Sequence, residues 1–183
     1  MKKTLSLCLA AVMLLSGEET DTMKLDAPKG IPLTLDVLDI LRGPGFARCA
    51  IRKDSGDDPD DTNGTLIYAT VSSLRAGIPE EELVMQPRTA SVEQLDDRVE
   101  IWGGIGVGKV TKPGLSCKVG GPAINPVPRK MITQEVLAAM KQYGCDETLR
   151  VVISIPDGTA IAPKTFNPRL GIEGGISVLG TSG

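Results

Sequence analysis

Between Asp54 and Asp61 the chain reads D-S-G-D-D-P-D-D, which sets Asp54, Asp57, Asp58, Asp60 and Asp61 within eight positions. Carboxylates at that density can hold a hard cation, face a cationic ligand or take up a proton. An EF-hand loop counted from Asp58 needs glycine at its sixth position and glutamate at its twelfth. Asn63 and Ala69 stand there, so that motif fails. Two readings remain. One is a solvated turn, since Asp, Pro, Asn and Gly are all turn formers. The other is a carboxylate-lined pocket. Thr62, Asn63 and Gly64 close the same segment and join it as candidate binding residues.

A second concentration of chemistry lies at Gly103 to Leu115, G-G-I-G-V-G-K-V-T-K-P-G-L. Gly104, Gly106 and Gly108 give G-x-G-x-G, which is not the dinucleotide fingerprint G-x-G-x-x-G. Glycine removes side chains, so the backbone can come close to a ligand or to another strand. Lys109, Thr111 and Lys112 follow directly. A bare backbone beside two cations suits an anionic ligand; the plainer alternative is a tight hairpin with exposed lysines. Asn125-Pro126-Val127-Pro128-Arg129 reads as a rigid extended segment that fixes Arg129 on the way into a helix. In the tail, Lys164, Asn167 and Arg169, with Gly174 and Gly175, repeat the theme of cations beside glycines.

The chain has no histidine. That removes Ser-His-Asp and Cys-His catalysis, histidine zinc sites and histidine proton shuttles. Acid-base work falls to Asp, Glu, Lys, Tyr, Cys or water. The four cysteines are dispersed without a C-x-x-C pair, which reads as reduced cytosolic thiols with no metal site. A net charge of −3 and 3% aromatics speak against nucleic-acid binding.

These residues need elements to position them. Aromatics are scarce, so the core must be aliphatic, and 21 glycines and 13 prolines imply many turns and short elements. Alternation over Met23 to Val37 around Lys29-Gly30 predicts a hairpin. Phe46–Ile51, Leu66–Val71, Val99–Trp102 and Val151–Ile155 read as strands. Ser72 to Asp97 reads as loop with short strands. Thr133 to Tyr143 is the clearest helix, with Thr133 as cap, Ile132, Val136, Leu137 and Met140 on one side and Gly144 as stop. Met1–Gly17 sets two lysines before an apolar run of about 13 residues, too short to span a bilayer. It suits a secretory leader or a buried helix capped by Thr4 and ended by Gly17. The class is α+β, a mixed sheet packed by a few helices. The tail runs through Ile176, Val178 and Leu179 into Gly180-Thr181-Ser182-Gly183, a phrase that usually serves a following element.

Five runs occur in order: G-D-D-P-D-D-T-N-G, G-G-I-G-V-G-K-V-T-K-P-G-L, G-G-P-A-I-N-P-V-P-R-K-M-I, V-I-S-I-P-D-G and A-P-K-T-F-N-P-R-L-G-I-E-G-G-I-S-V-L-G-T-S-G. Together they resemble the CbiD family, the cobalt-precorrin-5B methyltransferases of anaerobic cobalamin biosynthesis. The resemblance covers nearly the whole chain from about Lys3. It implies methyl transfer from S-adenosylmethionine to ring carbon 1 of a cobalt-corrin intermediate, in a cytoplasmic enzyme with no nucleic-acid or membrane partner. It also favours the helix reading of the amino terminus.

Such intermediates carry acetate and propionate side chains, which Lys109, Lys112, Arg129, Lys164 and Arg169 would receive. Methyl transfer from a sulfonium needs alignment and a dry site more than a strong base, so the missing histidine is no obstacle. By charge complementarity, Asp57, Asp58 or Asp60 would face the sulfonium or take up a proton. The chain departs from the family pattern in three places. K-K-T-L-S-L-C-L-A-A replaces the glycine-rich G-x-T-T-G-[ST]-C-A-A opening, Asp61 replaces an aliphatic residue, and the family continues into a second α/β domain. Residues 1–183 therefore read as the first domain of the enzyme, shortened at both ends.

Overall fold

The computed structural model describes residues 17, 22–26, 32–53, 62–77 and 94–178. Strands β1 (Thr22–Asp26) and β2 (Pro32–Asp36) pair antiparallel, the hairpin that alternation predicts. The main sheet holds β3 (Leu38–Gly43), β4 (Phe46–Arg52), β5 (Leu66–Ser73), β6 (Val99–Gly103) and β9 (Leu149–Ser154), in the order β3-β4-β5-β9-β6. Only β6 and β9 pair in parallel among these neighbours, so the sheet is mixed.

Side chains alternate across a strand, and here the two faces differ in chemistry. Ala47, Cys49 and Ile51 of β4, Ala69 and Val71 of β5, Val151 and Ile153 of β9 and Val99 and Ile101 of β6 join one aliphatic cluster. Helix α1 (Pro126–Tyr143) adds Ile132, Val136, Ala139 and Met140 to it. The opposite positions carry Arg48, Tyr68, Thr70, Ser72, Arg150 and Ser154.

The helix begins seven residues earlier than Thr133. Asn125 is its extended N-cap and proline occupies the first turn. Proline lacks the N–H that a first turn leaves unpaired, and its fixed φ already suits a helix. Asn125–Arg129 is thus a helix start and not an extended spacer. Thr133 lies inside the helix and is buried. The end is as expected: Gly144 takes φ 64°, and its N–H turns back to the Lys141 and Met140 carbonyls.

The glycine run is not a hairpin. It splits into β7 (Gly106–Val107), which pairs in parallel with β11 (Gly175–Ile176), and β8 (Lys109–Val110), which pairs antiparallel with β10 (Ile172–Glu173). Val178 bridges to Ile124. Strand β3, the short helix α2 (Gly158–Ile161) and a 3-10 turn (Ala162–Lys164) were not read from the sequence. The amino-terminal helix or leader, the acidic loop, Leu179 and most of the segment between Ser72 and Asp97 lie outside the described residues. Among the described residues, no helix is long and apolar enough to cross a membrane.

Candidate functional site

The candidate segments converge at one end of the main sheet. Arg52 of β4 pairs with Leu66 of β5, Tyr68 with Ser154, and Gly103 with Ile153. The carboxyl ends of β4, β6 and β9 and the start of β5 therefore share that end. From it leave the Thr62–Gly64 turn, the Gly103–Gly108 run and the Ile155–Gly158 turn. The tail strands β10 and β11 return to pair with the glycine run.

At the β4–β5 connection, Lys53 N–H donates to the Thr65 carbonyl at 2.8 Å and Gly64 N–H to the Lys53 carbonyl at 2.9 Å. Arg52 Nη1 donates to the Gly64 carbonyl at 2.9 Å. Thr62 is buried; its carbonyl accepts from Thr65 Oγ1 at 2.8 Å, and its hydroxyl accepts from Lys53 Nζ. Asn63 is exposed at the tip. Asp57, Asp58 and Asp60, the acidic candidates for catalysis, lie between these anchored ends and outside the described residues.

The glycines of the run serve close backbone approach. Gly106 has φ 75°, and a Cβ there would overlap the Ile155 carbonyl. A Cβ on Gly158 or on Gly175 would overlap the Gly106 carbonyl, and one on Gly108 would overlap the Ile172 side chain. At Gly104 it would strike Ser154 Oγ. Of the two uses open to a bare backbone, close packing against a neighbouring segment is visible at each of these positions. Gly174, with φ 75°, has open space where a side chain would stand.

Around β8 and β10 the packing leaves a cationic edge. Lys109 is exposed and stands opposite Glu173 in the register. Thr111 donates to the Gly171 carbonyl from its N–H at 2.7 Å and its hydroxyl at 3.0 Å, and its Oγ1 lies 3.1 Å from Glu173 Oε1. The Lys112 stem lies along Gly171, where a Cβ would come within 2.6 Å of it. Arg169 sits over the exposed Phe166 ring at 5.8 Å, and Lys164 ends the 3-10 turn that leads into this loop. Lys109, Lys112 and Lys164 make no ion pair among the described residues.

Asn167 ties the loop together. Its carbonyl accepts from Leu170 and Ile172 N–H, its Nδ2 donates to Thr165 Oγ1 at 2.7 Å, and its Oδ1 accepts from Ser177 N–H at 3.2 Å. Asn125 lies on the neighbouring segment. Its N–H donates to the Val178 carbonyl at 3.1 Å, and Cys117 Sγ lies 3.4 Å from its Oδ1. Arg129 differs from the expectation. It sits in the first helical turn with only 2% of its surface exposed, so it does not join the solvent-facing cations.

Sequence reasoning missed the polar face of the sheet. Arg48 Nη2 lies 3.8 Å from Asp39 Oδ2, and its guanidinium stands 5.6 Å from the centre of the Tyr68 ring. Burial, and then the hydrogen bond to Asp39 and its charge, push the Tyr68 phenol up, with Arg48 opposing; the phenol stays protonated and able to donate. Further along, Arg150 Nε and Nη2 both donate to Glu100 Oε2 at 3.1 Å. The same oxygen accepts from Trp102 Nε1 at 3.2 Å. The available signal was period two: Tyr68, Thr70 and Ser72 alternate with Ile67, Ala69 and Val71 in a strand that is buried on both sides.

A mixed five-stranded sheet with one long helix and a cationic glycine-rich edge makes this an α+β protein. The CbiD family model matches residues 5–183, and the chain belongs to the CbiD family. It is 47% identical, over 95% of its length, to the cobalt-precorrin-5B C(1)-methyltransferase of Thermoanaerobacter sp. (strain X514), of which it covers 41%. To the protein of that name from Clostridioides difficile (strain 630) it is 39% identical over 95% of its length and covers 46%. The crystal structure of the cobalamin biosynthesis protein CbiD from Archaeoglobus fulgidus superposes with a TM-score of 0.61 at 27% identity, covering 99% of this chain and 52% of that one. The chain thus spans less than half the length of these two curated relatives.

Proposed function

We propose that the chain is the substrate-gripping part of an enzyme that methylates ring carbon 1 of cobalt-precorrin-5B, with S-adenosylmethionine as methyl donor. The observation that supports this reading most is the convergence of the family's motifs at one end of the sheet, beside the exposed Lys109, Lys112, Lys164 and Arg169. A corrin precursor is a macrocycle rimmed by carboxylates. Ammonium and guanidinium groups held on a short, backbone-braced edge can receive several of them.

The groups present fit an anionic substrate. When bound, S-adenosylmethionine supplies a methyl group on a positively charged sulfur. The protein's task is then to hold the ring carbon in line with that methyl group and to exclude water. Backbone packing among Gly106, Gly158 and Gly175 keeps the edge rigid, and the Asn167 clamp fixes the loop that bears Arg169. Asp57, Asp58 and Asp60 remain the proposed carboxylates facing the sulfonium. Arg129, Asn125, Thr62, Asn63 and Gly64 would act behind or beside the ligand by shaping these supports. Residues 1–183 would form one α+β domain, working in the cytoplasm.

A second reading rests on the exposed cations alone, which support binding whether or not transfer follows. On that reading the chain binds an anionic tetrapyrrole without completing the reaction. Incubation with cobalt-precorrin-5B and methyl-labelled S-adenosylmethionine separates the two. Label in the corrin supports the enzyme, and binding without label supports the binding module. Neither binding nor label contradicts both.

A further inference from the structure

Among the described residues, four buried polar atoms of the main sheet have no hydrogen-bond partner: Arg48 Nε on β4, Thr70 Oγ1 and Ser72 Oγ on β5, and Ser154 Oγ on β9. They belong to one face. Arg48 stands directly opposite Thr70, Ser72 follows Thr70 at the two-residue spacing, and Ser154 stands opposite Tyr68. Alternation turns all of them away from the aliphatic cluster that packs on α1. Thr70 is 1% exposed, and Ser72 and Ser154 are 0% exposed. A buried hydroxyl without a partner is destabilising, and native proteins carry few of them. Valine or alanine would fill the same space without that cost, so three such hydroxyls on one face need another explanation.

We propose that this face binds carboxylate groups of the enzyme's ligand through Arg48, Thr70, Ser72 and Ser154. Arg48 Nε can only donate, and each hydroxyl can donate as well as accept, so one kind of strong acceptor can serve all four. An ionised carboxylate is such a group, and its charge strengthens every bond it receives. Asp39 already takes the outer end of the Arg48 guanidinium and leaves the buried Nε for a ligand. Directly opposed residues lie about 5 Å apart and diagonal ones about 7–8 Å. One carboxylate can therefore bridge Arg48 and Thr70, while Ser154 is a diagonal step away. A ligand with several carboxylates uses this spread better than a ligand with one.

The inference rests on the proposed function and deepens it. The carboxylates come either from the side chains of the corrin or from the methionine part of S-adenosylmethionine. The test measures binding to the whole chain and to its Thr70→Val and Ser154→Ala variants. One probe pair is cobyrinic acid, whose side-chain carboxylates are free, and its fully esterified form. The other is S-adenosylmethionine and its decarboxylated form. Thermal unfolding without ligand is recorded for each protein.

The expected result is a Tm for ligand-free Thr70→Val equal to or above that of the unmodified chain, with affinity for a carboxylate probe reduced about tenfold or more in both variants. Loss confined to cobyrinic acid assigns the face to corrin side chains. Loss confined to S-adenosylmethionine assigns it to the methionine carboxylate. Either result supports the site. Unchanged affinity for both probes, or a clear fall in Tm for ligand-free Thr70→Val, overturns the face as a site and leaves the proposed function standing. If the unmodified chain binds neither probe, the proposed function falls and this inference with it.

Discussion

Gly106 and Gly158 meet backbone to backbone: a Cβ on Gly158 would overlap the Gly106 carbonyl oxygen, and one on Gly106 would overlap the Ile155 carbonyl. The contact locks the strand that leaves β6 against the turn that leaves β9. The cationic edge around β8 and β10 is built outward from this lock. Gly158→Ala should therefore destabilise the protein by about 1–3 kcal/mol, the usual cost of forcing atoms into a packed interior. Gly106→Ala should cost at least as much, because φ 75° adds backbone strain. Urea unfolding of both variants checks this; unchanged midpoints would mean that the two segments are not in contact.

Asn167 should prove to be a structural clamp. Asn167→Ala removes the bond to Ser177 N–H and the bond to Thr165 Oγ1. The loss should be about 1–2 kcal/mol in the ligand-free protein. Amide exchange at Ser177 should accelerate markedly, whereas a purely ligand-contacting Asn167 would leave that amide protected.

The Arg150 guanidinium lies 4.3 Å from the Trp102 ring centre while donating twice to Glu100. Lysine cannot reproduce that fork. Arg150→Lys should cost about 1–2 kcal/mol. The chain has a single tryptophan, so its emission should shift in the same variant. An unaltered spectrum would contradict the stacking.

Burial pushes the Cys49 thiol up from 9.0 to about 12. The folded state then holds this proton more tightly than the unfolded state does. Its contribution to stability is full below pH 9 and declines as the pH rises from 9 towards 12. Cys49→Ala should flatten that alkaline decline. A denaturation series between pH 8 and about 11 measures it, and identical pH dependence in the two proteins would contradict the burial.

The strands were readable because alternation and β-branched residues mark them locally, as in Leu66–Val71 and Val151–Ile155. The helix start was not, because Pro126 and Pro128 read as extended segment breakers until the first-turn geometry at Asn125 is seen. The glycine run showed that backbone had to come close to something. That its partners are Ile155, Gly158 and Gly175 is a long-range fact with no local trace. Arg129 looked like a ligand contact because of its charge, but its place on the inner side of α1 depends on helix phase. The unpartnered hydroxyls were invisible for a similar reason: Thr70, Ser72 and Ser154 are ordinary strand residues until their neighbours are known.

On the proposed function, exposed cations on the β8–β10 edge grip a polyanionic corrin. Calorimetric titration with cobyrinic acid, at low and at high salt, tests it most directly. Binding should weaken as salt screens the lysines, and a Lys109→Glu, Lys112→Glu double variant should abolish it. Binding of equal strength in that variant, insensitive to salt, or no binding to the unmodified chain, would contradict it.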